Sequence, residues 1–185
     1  DAASSPVEAV AAAGLPHTCA HGFKGKHGVA IASRHPLKDI DRTVIGGIDD
    51  GRHVSATLAT SGGDLRVSSL YVPSGGDKPD VTINDKFAHK LAFMEEMKTF
   101  FAGDGLHVAG GDLNIAPQEH DVHNHKKCRR LVGHSDGERQ IMAEAIEAGG
   151  WIDTGRAVQP EGPLFTWWGY RYPPAFERNM GWRLD

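Results

Sequence analysis

Between His53 and Val72 the chain carries two apolar runs back to back. Val54, Ala56 and Leu58 alternate with polar residues up to Thr60, Ser61-Gly62-Gly63-Asp64 follows, and a second run extends from Leu65 to Val72. A period of two turns one set of side chains toward a core, and a short glycine-bearing link joins antiparallel neighbours. The stretch therefore predicts a β-hairpin and commits the chain to at least one sheet. Glycine-rich turns at Gly22, Gly25 and Gly28 lead into Val29-Ala30-Ile31-Ala32, which reads as a buried strand. His107 to Gly110 reads as a short strand, and Leu164 to Trp168 and Trp182 to Leu184 as late ones.

Helix signals are fewer. Ser5-Pro6-Val7-Glu8 places a cap, a proline at the first helical position and a glutamate three residues on, opening a helix that ends near Gly14. Phe87, Leu91, Met94 and Phe101 recur at helical spacing within Asn84 to Phe101, with a stop at Gly103. Ser135-Asp136-Gly137-Glu138 is a second capping box, opening a helix with Ile141, Ala145 and Ala148 on one face before Gly149-Gly150. Strands outnumber helices and no repeat appears, so a layered α/β (α+β) fold is expected, as one domain over residues 1–185.

Charge and cysteine content narrow the function classes. A net charge of -4 and a pI near 6.3 argue against holding nucleic acid by bulk positive charge, while leaving a local basic patch open. Cys19 and Cys128 are too few for a disulfide framework and read as free thiols in a reducing compartment. The Ala-rich start has no basic flank, and Glu8 interrupts its apolar run, so neither a signal peptide nor a membrane span is expected. A cytoplasmic monomer without a membrane partner is the simplest expectation.

Chemistry concentrates in Val108-Ala109-Gly110-Gly111-Asp112-Leu113-Asn114-Ile115-Ala116-Pro117, where an apolar strand meets a glycine pair and then Asp and Asn two apart. Residues at i and i+2 share a face of an extended chain, so Asp112 and Asn114 are expected to aim two oxygen-bearing groups at one point. That set suits a hard cation such as Mg²⁺. A turn-capping pair is the competing reading of the same pattern. Tyr71 stands at a strand end before Pro73, either facing a site or filling an interface.

The segments Lys26-His27-Gly28-Val29-Ala30-Ile31-Ala32-Ser33-Arg34, Ser68-Ser69-Leu70-Tyr71-Val72-Pro73, Gly111-Asp112-Leu113-Asn114, Phe165-Thr166-Trp167-Trp168-Gly169-Tyr170-Arg171 and Asn179-Met180-Gly181-Trp182-Arg183-Leu184-Asp185 occur in this order. Together they resemble the exodeoxyribonuclease III and abasic-site endonuclease family, over essentially the whole chain. The resemblance implies a four-layer αββα sandwich of the endonuclease/exonuclease/phosphatase type. It implies Mg²⁺-assisted hydrolysis of duplex DNA at 3′ ends and abasic sites, with Mn²⁺ as a possible substitute metal. Asp112 would manage protons at the scissile phosphate, Asn114 would position the attack, Tyr71 would contact the phosphate, and Asp185 would orient a catalytic histidine beyond this chain. Trp167, Trp182 and Leu184 fall where the family forms an apolar sugar pocket. Arg171 and Arg183 are candidates for DNA-backbone contacts or for structural pairs.

The family's opening strand, its Gln-Glu metal-ligand segment and its closing Ser-Asp-His segment have no counterpart here, so the sandwich is expected to be incomplete at both ends and the chain inactive alone. Ser74 stands where relatives tend to carry an amide. Two further readings compete: a phosphodiesterase of the same fold acting on another phosphoester, and a non-catalytic DNA-binding remnant. His120, His123, His125 and Cys128 also have zinc-like spacing, but the interleaved Lys126, Lys127, Arg129 and Arg130 favour a polar loop facing phosphates.

Overall fold

The structure, a computed structural model, describes residues 7–100, 102 and 105–185. Ser5 and Pro6 of the first helix start, and the expected stop at Phe101 and Gly103, lie outside the described residues. Contacts divide the chain into two compact units. One comprises the described residues of Asp1–Tyr71 and Gly103–Gly111, and the other those of Val72–Ala102 and Asp112–Asp185.

The first unit is built on strands. After α1 (Val7–Ala12), β1 (His17–Gly22) pairs antiparallel with β2 (Gly28–Ser33). A four-stranded sheet follows in the order β3-β4-β5-β6, from Lys38–Asp41, His53–Thr60, Gly63–Tyr71 and Leu106–Asp112. The hairpin is the predicted one, with Thr60 opposite Gly63 and only Ser61 and Gly62 in its turn. Cys19, Val29, Ile31, Val54 and Ala56 form its core cluster, with Leu37, Val67 and Tyr71 packed against it. β2 differs from the expected fully buried strand: Val29, Ile31 and Ser33 are buried while Gly28, Ala30 and Ala32 are exposed. Small residues on alternate positions allow one face to meet solvent.

The second unit is mainly helical. α2 (Asp85–Phe100) and α4 (Asp136–Ala148) are its long elements. Short pieces surround them: a 3₁₀ turn at Glu119–Asp121, α3 (His125–Cys128), α5 (Thr154–Val158) and α6 (Pro174–Glu177), with β7 (Trp167–Trp168) pairing β8 (Gly181–Trp182). α4 begins as the capping box predicts, with Ser135 accepting from the Glu138 amide and Glu138 reaching back. Its buried positions are Glu138 and Met142, whereas Ala148, expected on the inner face, is exposed. The late strands are two residues each, shorter than the sequence suggests, because Thr166 and Leu184 bond through a side chain instead: the Leu184 amide donates to Thr166 Oγ1 at 2.9 Å. No helix among the described residues is long and apolar enough to cross a membrane.

Candidate active site

Asp112 ends β6, and the chain turns sharply after it. Asn114 has φ 51°, in the left-handed region that Asn tolerates better than most residues. This corrects the sequence argument for convergence. The extended alternation does not continue through Asn114; the pair meets through a tight turn in which the Asn114 amide N–H donates to Asp112 Oδ1 at 2.9 Å. The turn-capping geometry and the convergence of the two side chains are one structure. The Asn114 side-chain amide donates to the Val72 carbonyl at 2.8 Å and also hydrogen-bonds the Asp112 carboxyl. With its N–H groups so used, Asn114 Oδ1 is the atom left to accept or coordinate.

Gly111 makes the approach to this turn possible. At φ +133°, a Cβ there would sit 2.0 Å from the Leu70 carbonyl oxygen. The close approach is thus between two strands, β5 and β6. Gly110 has open space around it.

Burial pushes the half-buried Asp112 carboxyl above the usual carboxylate range, and the negative charge of Asp185 pushes it further; the Asn114 N–H and the Lys90 ammonium oppose the rise. Asp185 therefore lies within electrostatic reach of Asp112, its own amide held by Thr166 Oγ1 at 3.2 Å. Leu113 N–H donates to the Leu184 carbonyl at 2.7 Å, tying this terminal segment to the turn. The Asp112 carboxylate and the Asn114 amide oxygen are hard oxygen donors, the type a divalent cation such as Mg²⁺ takes. No group of three or more His, Cys, Asp or Glu able to hold a metal occurs among the described residues.

Tyr71 ends β5 in the first unit. Arg52 lies over its ring, 4.9 Å from the centroid, and His27 meets it edge-on with centroids 5.1 Å apart. Two backbone links fix it: Tyr71 N–H donates to the Arg52 carbonyl at 2.9 Å, and Arg52 Nη1 donates to the Tyr71 carbonyl at 3.1 Å. Asp50 holds Arg52 Nε at 2.5 Å. The sequence reading overlooked Arg52; its place opposite the strand end follows only from the hairpin register.

Trp167 and Trp182 are cross-strand partners, so the two expected pocket aromatics do come together. Trp182 packs on Ala116, Val122 and Cys128, and Trp167 is exposed. Arg183 resolves as a structural residue, with Nη1 and Nη2 each 2.7 Å from the Asp153 carboxylate and its amide donating to the Asp121 carbonyl. Arg156, which the sequence did not flag, pairs with the buried Asp121. Arg171 and Ser74 are exposed. In the His-rich loop, Cys128 is buried among apolar side chains, which pushes its thiol pKa up. His125 turns instead to His134, 3.0 Å away. Lys126, Lys127 and Arg130 are exposed, while Arg129 pairs with Asp136 at 2.6 Å.

The fold has known counterparts. Residues 1–185 match the Endonuclease/Exonuclease/phosphatase family, and the chain belongs to it. Within that family it is similar to the exodeoxyribonuclease of Bacillus subtilis (strain 168), at 47% identity over 77 residues, which are 40% of this chain and 29% of that protein. The structure of an AP endonuclease from Archaeoglobus fulgidus superposes with a TM-score of 0.86 at 29% identity, covering 99% of this chain and 69% of that one. A 3′ phosphatase from Neisseria bound to a product DNA hairpin gives 0.84 at 30% identity, covering 100% and 70%. The match to the Bacillus enzyme takes in less than a third of its length. The α/β sandwich class expected from the resemblance stands.

Proposed function

We propose that this chain carries the phosphate-facing part of a Mg²⁺-dependent DNA-repair phosphodiesterase, acting on duplex DNA at 3′ ends and abasic sites. The carrying observation is the turn after β6, where the Asn114 amide donates to Asp112 Oδ1 at 2.9 Å and Leu113 is tied to the Leu184 carbonyl. Hydrolysis of a phosphodiester anion needs a group that takes and returns a proton, and the Asp112 carboxyl is the candidate this turn presents. Asp112 takes the proton handling, and Asn114 presents its amide oxygen to the reacting centre. Asp112 and Asn114 would hold the cation, which when bound draws charge off the phosphoryl oxygens, and Asp185 would orient a histidine beyond this chain.

Tyr71, braced by Arg52, offers a phenol to the phosphate. Trp167, Trp182 and Leu184 supply apolar surface for a base-free sugar, and Arg171, exposed beside them in sequence, is available to a backbone phosphate. The names of the similar proteins support DNA as substrate: an exodeoxyribonuclease, an AP endonuclease and a 3′ phosphatase bound to a DNA hairpin. The buried free thiols Cys19 and Cys128 agree with a reducing, cytoplasmic setting.

The test is cleavage of three substrates by this chain with the family's flanking segments joined at both ends: an abasic duplex, a recessed 3′ end and a phospholipid, each with Mg²⁺ and with chelator. Metal-dependent cleavage of the DNA substrates alone is expected, and Asp112→Asn should lower the rate by about 10² to 10⁴. Preference for the lipid, or an Asp112→Asn variant as fast as the unaltered chain, would remove the proposal.

A further inference from the structure

Behind the Asp112–Asn114 turn lies a fully buried ion pair with no role in the chemistry above. Lys90, on α2, and Glu138, on α4, are both 0% exposed, with Nζ and Oε1 2.6 Å apart. Lys90 Nζ also donates to the Asn114 carbonyl oxygen at 2.6 Å. Glu138 is satisfied from its other side, accepting from the Gly133 and Ser135 amides and from the Ser135 hydroxyl. Every strong contact of this pair points toward the turn or toward the α4 cap.

A buried ion pair is a poor device for stability alone, since taking two charges out of water offsets most of their attraction and apolar replacements are often neutral. Something else must account for an ammonium here. An ammonium presents three donors; one meets Glu138 and another meets the carbonyl of a residue held at φ 51°. A left-handed non-glycine conformation persists only when its surroundings over-determine it. Asn114 is held by Asp112 through its amide, by Val72 through its side chain, and by Lys90 through its carbonyl.

The Lys90 stem has a second effect. Gly75, at φ +83°, stands so close that a Cβ would lie 2.8 Å from Lys90 Cδ, and Asn84 holds the Gly75 carbonyl at 2.9 Å. One side chain thus braces both the Asn114 turn and the loop that follows Val72. Burial holds the ammonium below the usual lysine range, with Glu138 opposing that shift.

The geometry assigns Lys90 as a positioning residue: through the Asn114 carbonyl it fixes the turn that aims the Asn114 side chain. This rests on Asn114 acting at the reacting phosphate, as proposed above. Lys90 touches neither substrate nor cation in this reading, and its effect passes entirely through Asn114.

The experiment compares Glu138→Gln, which leaves Nζ on the Asn114 carbonyl, with Lys90→Met/Glu138→Gln, which removes it without leaving a buried charge. Turnover of an abasic duplex under saturating Mg²⁺, by the chain with the family's flanking segments joined at both ends, is read alongside the NMR signals of the Asn114 side-chain amide. The double variant should fold and lose roughly 10- to 100-fold in kcat with KM held within about twofold. Its Asn114 signals should move, while Glu138→Gln stays near the unaltered chain in both readouts. Where the double variant does not fold, Lys90→Met/Glu138→Leu takes its place, and failure of both to fold makes Lys90 a folding residue and overturns the assignment. Unmoved Asn114 signals in a folded variant, or equal losses in Glu138→Gln, also overturn it. If the chain with the family's flanking segments joined at both ends cleaves no DNA at all, the functional proposal falls, and the Asn114 signals alone decide whether Lys90 sets the turn.

Discussion

Both units bury apolar side chains, but among the described residues the buried charged groups lie in the helical unit, and that contrast separates what shapes a fold from what sets a site. In the first, Cys19, Val29, Ile31, Val54 and Ala56 form an apolar cluster whose members alternate along strands. In the second, the deepest groups include Lys90, Asp121, His134 and Glu138, all 0% exposed and all in specific polar contacts. Apolar packing tolerates exchange among residues of similar volume, whereas a buried charge depends on one partner at one distance.

That contrast is broken most directly at Lys90. Lys90→Met alone strands the Glu138 carboxylate inside the protein, an expected loss of about 3–5 kcal/mol in chemical unfolding. Val54→Ala, at a fully buried position of the sheet, removes two methyl groups and should cost about 2 kcal/mol. Amide exchange locates each effect: the first variant should lose protection in α2 and α4, the second in β4 and β5. Equal costs, or a Lys90→Met variant milder than Val54→Ala, would erase the distinction drawn between the two cores.

The same contrast explains what could be read from the sequence. The β4–β5 hairpin, α2 and the capped start of α4 rest on alternation, helical spacing and a local cap, all written in contiguous residues. β1, β3, α3, α5 and α6 escaped notice, because four to six residues rarely carry a full period. At the site, Asp112 and Asn114 were legible as a local motif, although their convergence comes from a left-handed turn and not from strand alternation. Arg52 and Lys90 were not legible. Lys90 reaches a carbonyl 24 positions away, and a lysine within a helical run is ordinarily read as exposed. The resemblance pointed to Tyr71, Asp112 and Asn114 and not to Arg52 or Lys90.

Acid sharpens the comparison at smaller amplitude. Burial holds His134 below the usual histidine range; the Ala116 carbonyl opposes that shift, while Arg139 and His125 reinforce it. The geometry fixes its tautomer: Ala116 O can only accept, so Nδ1, 2.6 Å away, carries the proton, and Nε2 accepts from His125 Nδ1 at 3.0 Å. A second proton would have to enter at Nε2, against a donor already aimed there. His53 and His107, in the strand-built unit, are likewise held low chiefly by burial. Because the folded pKa of each lies below the unfolded one, the unfolded chain binds more protons as pH falls through about 6.5. The stability these histidines contribute is complete above that pH and is lost toward the lower folded values, by no more than about 1.4 kcal/mol per pH unit for each. Urea unfolding at pH 7.5 and at pH 5.5 should show the decline, and His134→Gln should flatten it, since a glutamine donates to Ala116 without titrating. A His134→Gln chain that keeps the full decline would place the acid sensitivity in the sheet histidines alone and leave the helical unit indifferent to pH over that range.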